Sequence, residues 1–120
     1  MNFESNQPIY LQIVDYIKRE IITGKLKAGE KLPSVREIAS DLKVNPNTIQ
    51  RSYQELEREN LVFTQRGMGT FVTEDEKLIN ELKNSLATSI VNKFIDDMKS
   101  IGFDKESLIQ LINKSIKEEI

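Results

Sequence analysis

A chain of 120 residues with 38% hydrophobic content fits one compact domain, or a small domain with an appendage, and in either case a modest core. It holds no Cys and no His, which excludes disulfides, thiolate nucleophiles and Cys/His zinc sites and removes the side chain that most often moves protons near neutral pH. An enzyme is therefore not expected, and no cofactor or metal is called for. The net charge is -2, but residues 1–73 carry 10 Lys+Arg against 9 Asp+Glu while residues 74–120 carry 7 against 10, so the acidity belongs to the tail. No apolar run approaches the ~20 residues of a membrane-spanning helix, and "MNFESNQPIY" lacks a basic-then-apolar leader, which predicts a cytoplasmic protein without a membrane partner.

In chain order, "PIYLQIVDYIKREIITG" repeats Ile9, Ile13, Val14, Ile17, Ile21 and Ile22 at three- and four-residue steps, with Pro8 suited to the first helical position and Gly24 to a C-terminal cap. The second helix starts at "LPSVREIASDLK", where Ser34 and Glu37 have capping-box spacing and Val35, Ile38, Ala39 and Leu42 form the stripe. A turn at Val44 and Asn45 leads to a third helix, with Asn45 as N-cap and Pro46 where its missing N–H costs nothing. "LVFTQRGMGTFV" reads as a two-stranded ribbon turning at Gly67-Met68-Gly69. Residues 75–101 carry Ile79, Leu82, Leu86, Ile90, Phe94, Met98 and Ile101 as one long amphipathic helix; Gly102 ends it and Asp104 caps a last helix marked by Leu108, Ile112, Ile116 and Ile120.

Helix, helix, turn, helix, hairpin is the order of a winged helix-turn-helix, so the expected fold is mainly α with a small β-hairpin, followed by two further helices. On the third helix Ile49, Ser52, Tyr53 and Leu56 face inward, which leaves Asn47, Gln50, Arg51, Gln54 and Arg58 outward and Asn45 and Thr48 near the tip. Asn and Gln match adenine N6/N7, Arg matches guanine O6/N7, and free N–H groups at a helix start attract phosphate. A solvated helix face behind a good N-cap would by itself account for Asn45 and Pro46; the combination with a wing favours double-stranded DNA. Arg66 at the ribbon tip suits a backbone or minor-groove contact, and Arg36 suits a contact at the groove mouth, though solubility also asks for an exposed Arg there. Lys25, Lys27 and Lys31 can add phosphate contacts but weigh little.

Three runs now stand out: "G-x-L-x-x-G-x-x-LPS-x-R-x-x-A" from Gly24 to Ala39, "VNPNT" followed by "SY" and "LE", and "G-x-GTFV" in the wing. With them, residues 7–73 resemble the winged-helix domain of GntR-family bacterial transcription regulators. The short tail and the "VNPNT" wording are most similar to the YtrA subfamily, in which a two-helix dimerisation unit replaces a large effector domain. The resemblance implies DNA contacts from Arg36, Asn45, Asn47, Thr48, Arg51 and the wing around Arg66, Gly67 and Gly69, to which the outward face adds Gln50. Many members have Arg where this chain has Pro46 and Gln50, so their base preferences do not carry over. Where Asn60 ends the third helix the family usually has Gly, and Asn tolerates the same left-handed conformation.

The domains expected are 1–73 for DNA binding and 74–120 for dimerisation. Two amphipathic helices insulate each other poorly, so Ile79, Leu82, Leu86, Ile90, Phe94, Met98, Leu108, Ile112 and Ile116 are expected to close a four-helix core with a second copy. A homodimer in turn predicts an inverted-repeat operator with half-sites about one helical turn, ~10 bp, apart, and the resemblance implies repression by occupancy of a promoter. The alternative is a winged-helix module that contacts proteins without specific DNA binding. A small-molecule effector is retained as a partner class, with no segment marked as its site. Asp96/Asp97 and Glu118/Glu119 read as solvated charge, because helix neighbours point about 100° apart.

Overall fold

The computed structural model describes residues 1–119, so the last stripe position expected, Ile120, lies outside the described residues. The order is α1 (Ile9–Ile22), α2 (Val35–Leu42), α3 (Pro46–Arg58), β1 (Val62–Gln65), β2 (Gly69–Val72), α4 (Glu76–Ser100) and α5 (Lys105–Glu119). This is the mainly helical winged arrangement expected. Residues 1–83 form one compact unit and 84–120 another, α4 running through both.

Apolar spacing builds the first unit. Ile13, Val14, Ile17 and Ile21 of α1, Ile38 and Ala39 of α2, and Ile49, Tyr53 and Leu56 of α3 bury together with Leu32, Leu61, Val62 and Val72. Burying a side chain of this size stabilises the fold by roughly 1.5–3 kcal/mol. Val35 and Leu42 only half-bury against this cluster, and Ile9 stays 43% exposed, so the stripes on α1 and α2 are narrower than their sequence spacing. The sequence boundary at residue 73 follows the end of the wing motif. The compact unit runs on to Lys83, because Leu78, Ile79 and Leu82 on the first turns of α4 pack against the same core.

Local chemistry sets the helix ends. Pro8 sits at the N-cap of α1, one position before the first helical position expected for it. The capping box at α2 is complete, with the Glu37 N–H donating to Ser34 Oγ (3.1 Å) and the Ser34 N–H to Glu37 Oε1 (3.2 Å). The Ser34 N–H first, and then the Ser34 hydroxyl, hold the Glu37 carboxyl below the usual carboxylate range. Asn60 follows α3 at φ +63°, as its tolerance of that region predicts.

Lys43, between α2 and α3, also adopts the left-handed conformation, at φ +57°, with its N–H bonded to the Ser40 carbonyl. This the sequence did not signal, since Lys has no preference for the region. An L side chain there costs about 1–2 kcal/mol, so Lys43→Gly is expected to stabilise the first unit by about 1 kcal/mol, once the extra chain entropy of Gly is offset. A denaturant midpoint that fails to rise would show the turn is unstrained.

The hairpin pairs Val62 with Val72, Phe63 with Phe71, Thr64 with Thr70 and Gln65 with Gly69. Val62 and Val72 point into the core, and the Phe63 and Phe71 rings stack at 5.7 Å on the opposite face. Residues 29–32 run antiparallel to β2: the N–H groups of Gly29 and Leu32 donate to the carbonyls of Val72 and Thr70, and the Val72 N–H donates to the Glu30 carbonyl. The wing is thereby fastened to the segment before α2. Gly69 sits at φ +123°, a conformation L side chains rarely adopt, so the backbone selects Gly; a Cβ there would only displace the flexible end of the exposed Lys31 side chain.

In the second unit Gly102 (φ +96°) ends α4, and the Phe103 N–H returns to the Met98 carbonyl. Ile101 falls beyond the helix at 69% exposure, so it leaves the stripe expected of it, and Phe103 half-buries instead. Asp104 caps α5 as expected, its Oδ1 accepting from the Ser107 N–H at 2.9 Å.

Candidate nucleic-acid interface

The outward face of α3 rests on a rigid inner one. Ile49, Ser52 and Leu56 are 0% exposed and Tyr53 6%. Ser52 is the one buried polar residue among those described, and its Oγ donates toward the carbonyls of Tyr10 in α1 and Thr48 in α3, both at 3.0 Å. The Tyr53 hydroxyl donates to the Pro33 carbonyl at 2.7 Å, tying α3 to the entry of α2. Lys18 Nζ meets Glu59 Oε1 at 2.9 Å and joins α1 to the end of α3. The pitch of α3 is thus set by hydrogen bonds to α1 and to the entry of α2 as well as by apolar packing.

Burial, and to a lesser degree the Glu37 carboxylate, pushes the Tyr53 phenol up to about 12. The folded chain keeps this proton above pH 10, where an unfolded chain releases it. Stability is therefore whole below pH 10 and is lost as pH rises from 10 through 12. Tyr53→Phe is expected to flatten that loss; melting curves from pH 9 to 12 with equal slopes for both chains would dismiss it.

Asn47, Gln50, Arg51, Gln54 and Arg58 are all exposed, as is Asn45, and Thr48 is half-buried. The free N–H groups expected at the front of α3 are not there. Pro46 has none, the Asn47 N–H donates to Asn45 Oδ1 at 2.8 Å, and the Thr48 N–H donates to the Asn45 carbonyl at 2.9 Å. The same N-cap that starts the helix consumes its donors, so phosphate attraction there rests on side chains and the helix dipole. Asn45, its Oδ1 and carbonyl already accepting, keeps its side-chain N–H₂ and its own backbone N–H as donors for a ligand.

Among the described residues, no carboxylate lies within 4.0 Å of the cationic groups of Arg36, Lys43, Arg51 or Arg66, whereas Arg58 pairs with Glu55 three residues earlier. That pairing takes Arg58 out of the outward set as a free cation. Arg36 occupies the second position of α2, and Arg66, Gly67 and Met68 form the loop between the strands, with Met68 60% exposed. Gly67 turns that loop at φ +77°. Two contributors escaped sequence reasoning. Lys43 became part of the turn by its unusual backbone, and Tyr10 places its ring 3.7 Å from Arg51 Cζ.

The second unit presents a different surface. Val91, Phe94, Ile95 and Met98 of α4 and Leu108, Ile109, Leu111, Ile112 and Ile116 of α5 line an open apolar groove of about 660 Å³. Leu108 alone among the described residues of this unit is buried; Ile90, Val91, Phe94, Ile109, Leu111 and Ile116 are 40–51% exposed. Ile79 and Leu82 belong instead to the core of the first unit, and Leu86 is half-buried. The sequence stripe passed over Val91, Ile95, Ile109 and Leu111, each next to a residue it named, because apolar residues cover more than one side of these helices.

Residues 9–72 match the family described as "Bacterial regulatory proteins, gntR family". The chain is 47% identical to the HTH-type transcriptional regulator YhcF of Bacillus subtilis (strain 168) over 108 residues, 90% of this chain and 89% of that one. It is 39% identical to the HTH-type transcriptional repressor YtrA of the same organism over 111 residues, covering 92% and 85%. Among solved structures it is similar to a GntR family transcriptional regulator from Listeria monocytogenes, with a TM-score of 0.88, 47% identity and coverage of 93% and 98%. These relatives are named as regulators and a repressor, not as enzymes. With the motifs and the winged fold together, the chain belongs to the GntR family of bacterial DNA-binding transcription regulators.

Proposed function

We propose that the chain is a homodimeric repressor that binds an inverted-repeat operator through α3 and the wing and acts by occupying a promoter. The observation that carries this reading is the outward face of α3: exposed amides and an arginine free of intramolecular carboxylate partners, mounted on a helix whose inner face is fully buried. Asn47, Gln50 and Arg51 read base edges, Thr48, Asn45 and Arg36 hold phosphate near the groove mouth, and Arg66, Gly67 and Gly69 carry the wing along the backbone. Residues 84–120 supply the association, since their exposed apolar groove asks for a second copy and a dimer couples two half-sites.

Selection of bound duplexes from a random DNA pool at two salt concentrations, with solution mass recorded alongside, tests this directly. An inverted repeat bound by a dimer is the expected outcome. Weak binding that enriches no sequence and vanishes with modest salt would transfer the fold to the protein-contact alternative. On the selected duplex, Arg51→Ala is expected to cost ~1–3 kcal/mol and to relax preference at one base pair. Arg66→Ala is expected chiefly to flatten the salt dependence. Equal affinity for both variants and the parent chain would refute these contacts.

A further inference from the structure

We propose that Tyr10, on α1, is a positioning residue for Arg51, holding its guanidinium ready to read a base edge. The inference rests on the DNA-reading role of α3 proposed above and deepens it. Arg51 Cζ stands 3.7 Å from the Tyr10 ring centroid, well inside the ~6 Å limit for cation–π attraction. The two residues lie on different helices but are held side by side next to the stack: the buried side chain of Ser52, adjacent to Arg51, donates toward the Tyr10 carbonyl at 3.0 Å, shared with the Thr48 carbonyl. The ring is therefore presented by a fixed piece of backbone, and Arg51 precedes the very residue that fixes it.

Stacking covers one face of the planar guanidinium and leaves its N–H edges open, which is the edge-on presentation a guanine O6/N7 pair requires. Among the described residues no carboxylate within 4.0 Å competes for those edges. Pro8, Ile9 and Tyr10 share a shallow concavity with Asn47, Thr48 and Arg51, so the stack sits at the front of α3 and not along its buried side. A long, flexible side chain held this way loses less freedom on binding. Tyr10 thereby governs how strictly Arg51 discriminates between base pairs.

The test uses the full chain and the duplex that the parent chain enriches from a random pool, together with versions of that duplex substituted at each base pair of one half-site. Tyr10→Leu is expected to weaken binding about three- to tenfold and to shrink the penalty at the one base pair where Arg51→Ala abolishes it. Tyr10→Phe, which keeps the ring face, is expected to retain both affinity and penalty. In an Arg51→Ala background Tyr10→Leu should change nothing further. Because Ser52 bonds to the backbone of residue 10, all three variants keep that contact. Without DNA, the Arg51 side-chain protons are expected to show an upfield ring-current NMR shift in the parent and Tyr10→Phe chains, absent in Tyr10→Leu.

The outcomes separate the two levels of the proposal. If Arg51→Ala leaves affinity unchanged, base reading through Arg51 fails and its positioning fails with it. If Arg51→Ala weakens binding while Tyr10→Leu does not, only the positioning role is overturned. A Tyr10→Phe chain that falls as far as Tyr10→Leu assigns the loss to the hydroxyl, as a direct phosphate contact, and overturns positioning as well. A missing ring-current shift removes the stack itself.

Discussion

Phe94→Asp is expected to convert the proposed dimer into a monomer and to weaken binding to the proposed inverted repeat by about 10²–10⁴-fold, while leaving α3 and the wing as they are. The second unit cannot insulate its own apolar surface: of its described residues only Leu108 is buried, and Phe94 remains 41% exposed. A carboxylate buried in an apolar interface of this kind carries a desolvation cost of several kcal/mol. Since a single winged helix makes few base contacts, the loss appears as lost coupling between half-sites, and affinity for an isolated half-site should hardly change. Sedimentation with duplex titration measures both. A Phe94→Asp chain that stays dimeric and binds as tightly would remove the groove from the mechanism.

Truncation sharpens the same point. A chain ending at Lys83 retains Leu78, Ile79 and Leu82 against the core of the first unit, whereas one ending at Glu74 strips all three. The shorter chain should be less stable by about 2–3 kcal/mol, at roughly 1 kcal/mol for each half-buried side chain. Poor DNA binding by that shorter chain would therefore reflect unfolding as well as loss of a partner. The cut after Lys83 separates the two effects.

Ile49→Ala or Leu56→Ala is expected to cost about 2–5 kcal/mol, since each side chain is 0% exposed and its removal leaves a cavity beneath α3. A unit of this size is stable by only roughly 4–12 kcal/mol, so these variants sacrifice a large part of the total. Their effect on DNA should follow the folded fraction and leave the ranking of base pairs intact. Arg51→Ala is the opposite case, with stability kept and ranking altered. Denaturant melts combined with binding to base-substituted duplexes distinguish them. An Ile49→Ala chain of unchanged stability would mean the cavity closes by repacking.

Residue spacing alone marks the helices and the hairpin and shows which side of α1, α2 and α3 turns inward. Each stripe on α1, α2 and α3, the capping box of Ser34 and Glu37, the N-cap of Asn45, the left-handed Asn60 and the turn at Gly67-Met68-Gly69 depend on residues at most four positions apart. Interactions that short are dictated by helix and turn geometry, so spacing alone exposes them. It also marked the GntR motifs, and with them the family.

The contacts between distant segments emerge only in the folded chain. Tyr10 meets Arg51, Ser52 reaches Tyr10 over 42 positions, residues 29–32 run along β2, and Leu78, Ile79 and Leu82 fall to the first unit and not to the second. None of these follows from periodicity, because an aromatic ring, a hydroxyl or a half-apolar helix start carries no record of which partner will arrive. The capped front of α3 shows the same division. Asn45 and Pro46 are legible as a good helix start, and only the hydrogen bonds reveal that the start uses up the donors a phosphate would otherwise have taken.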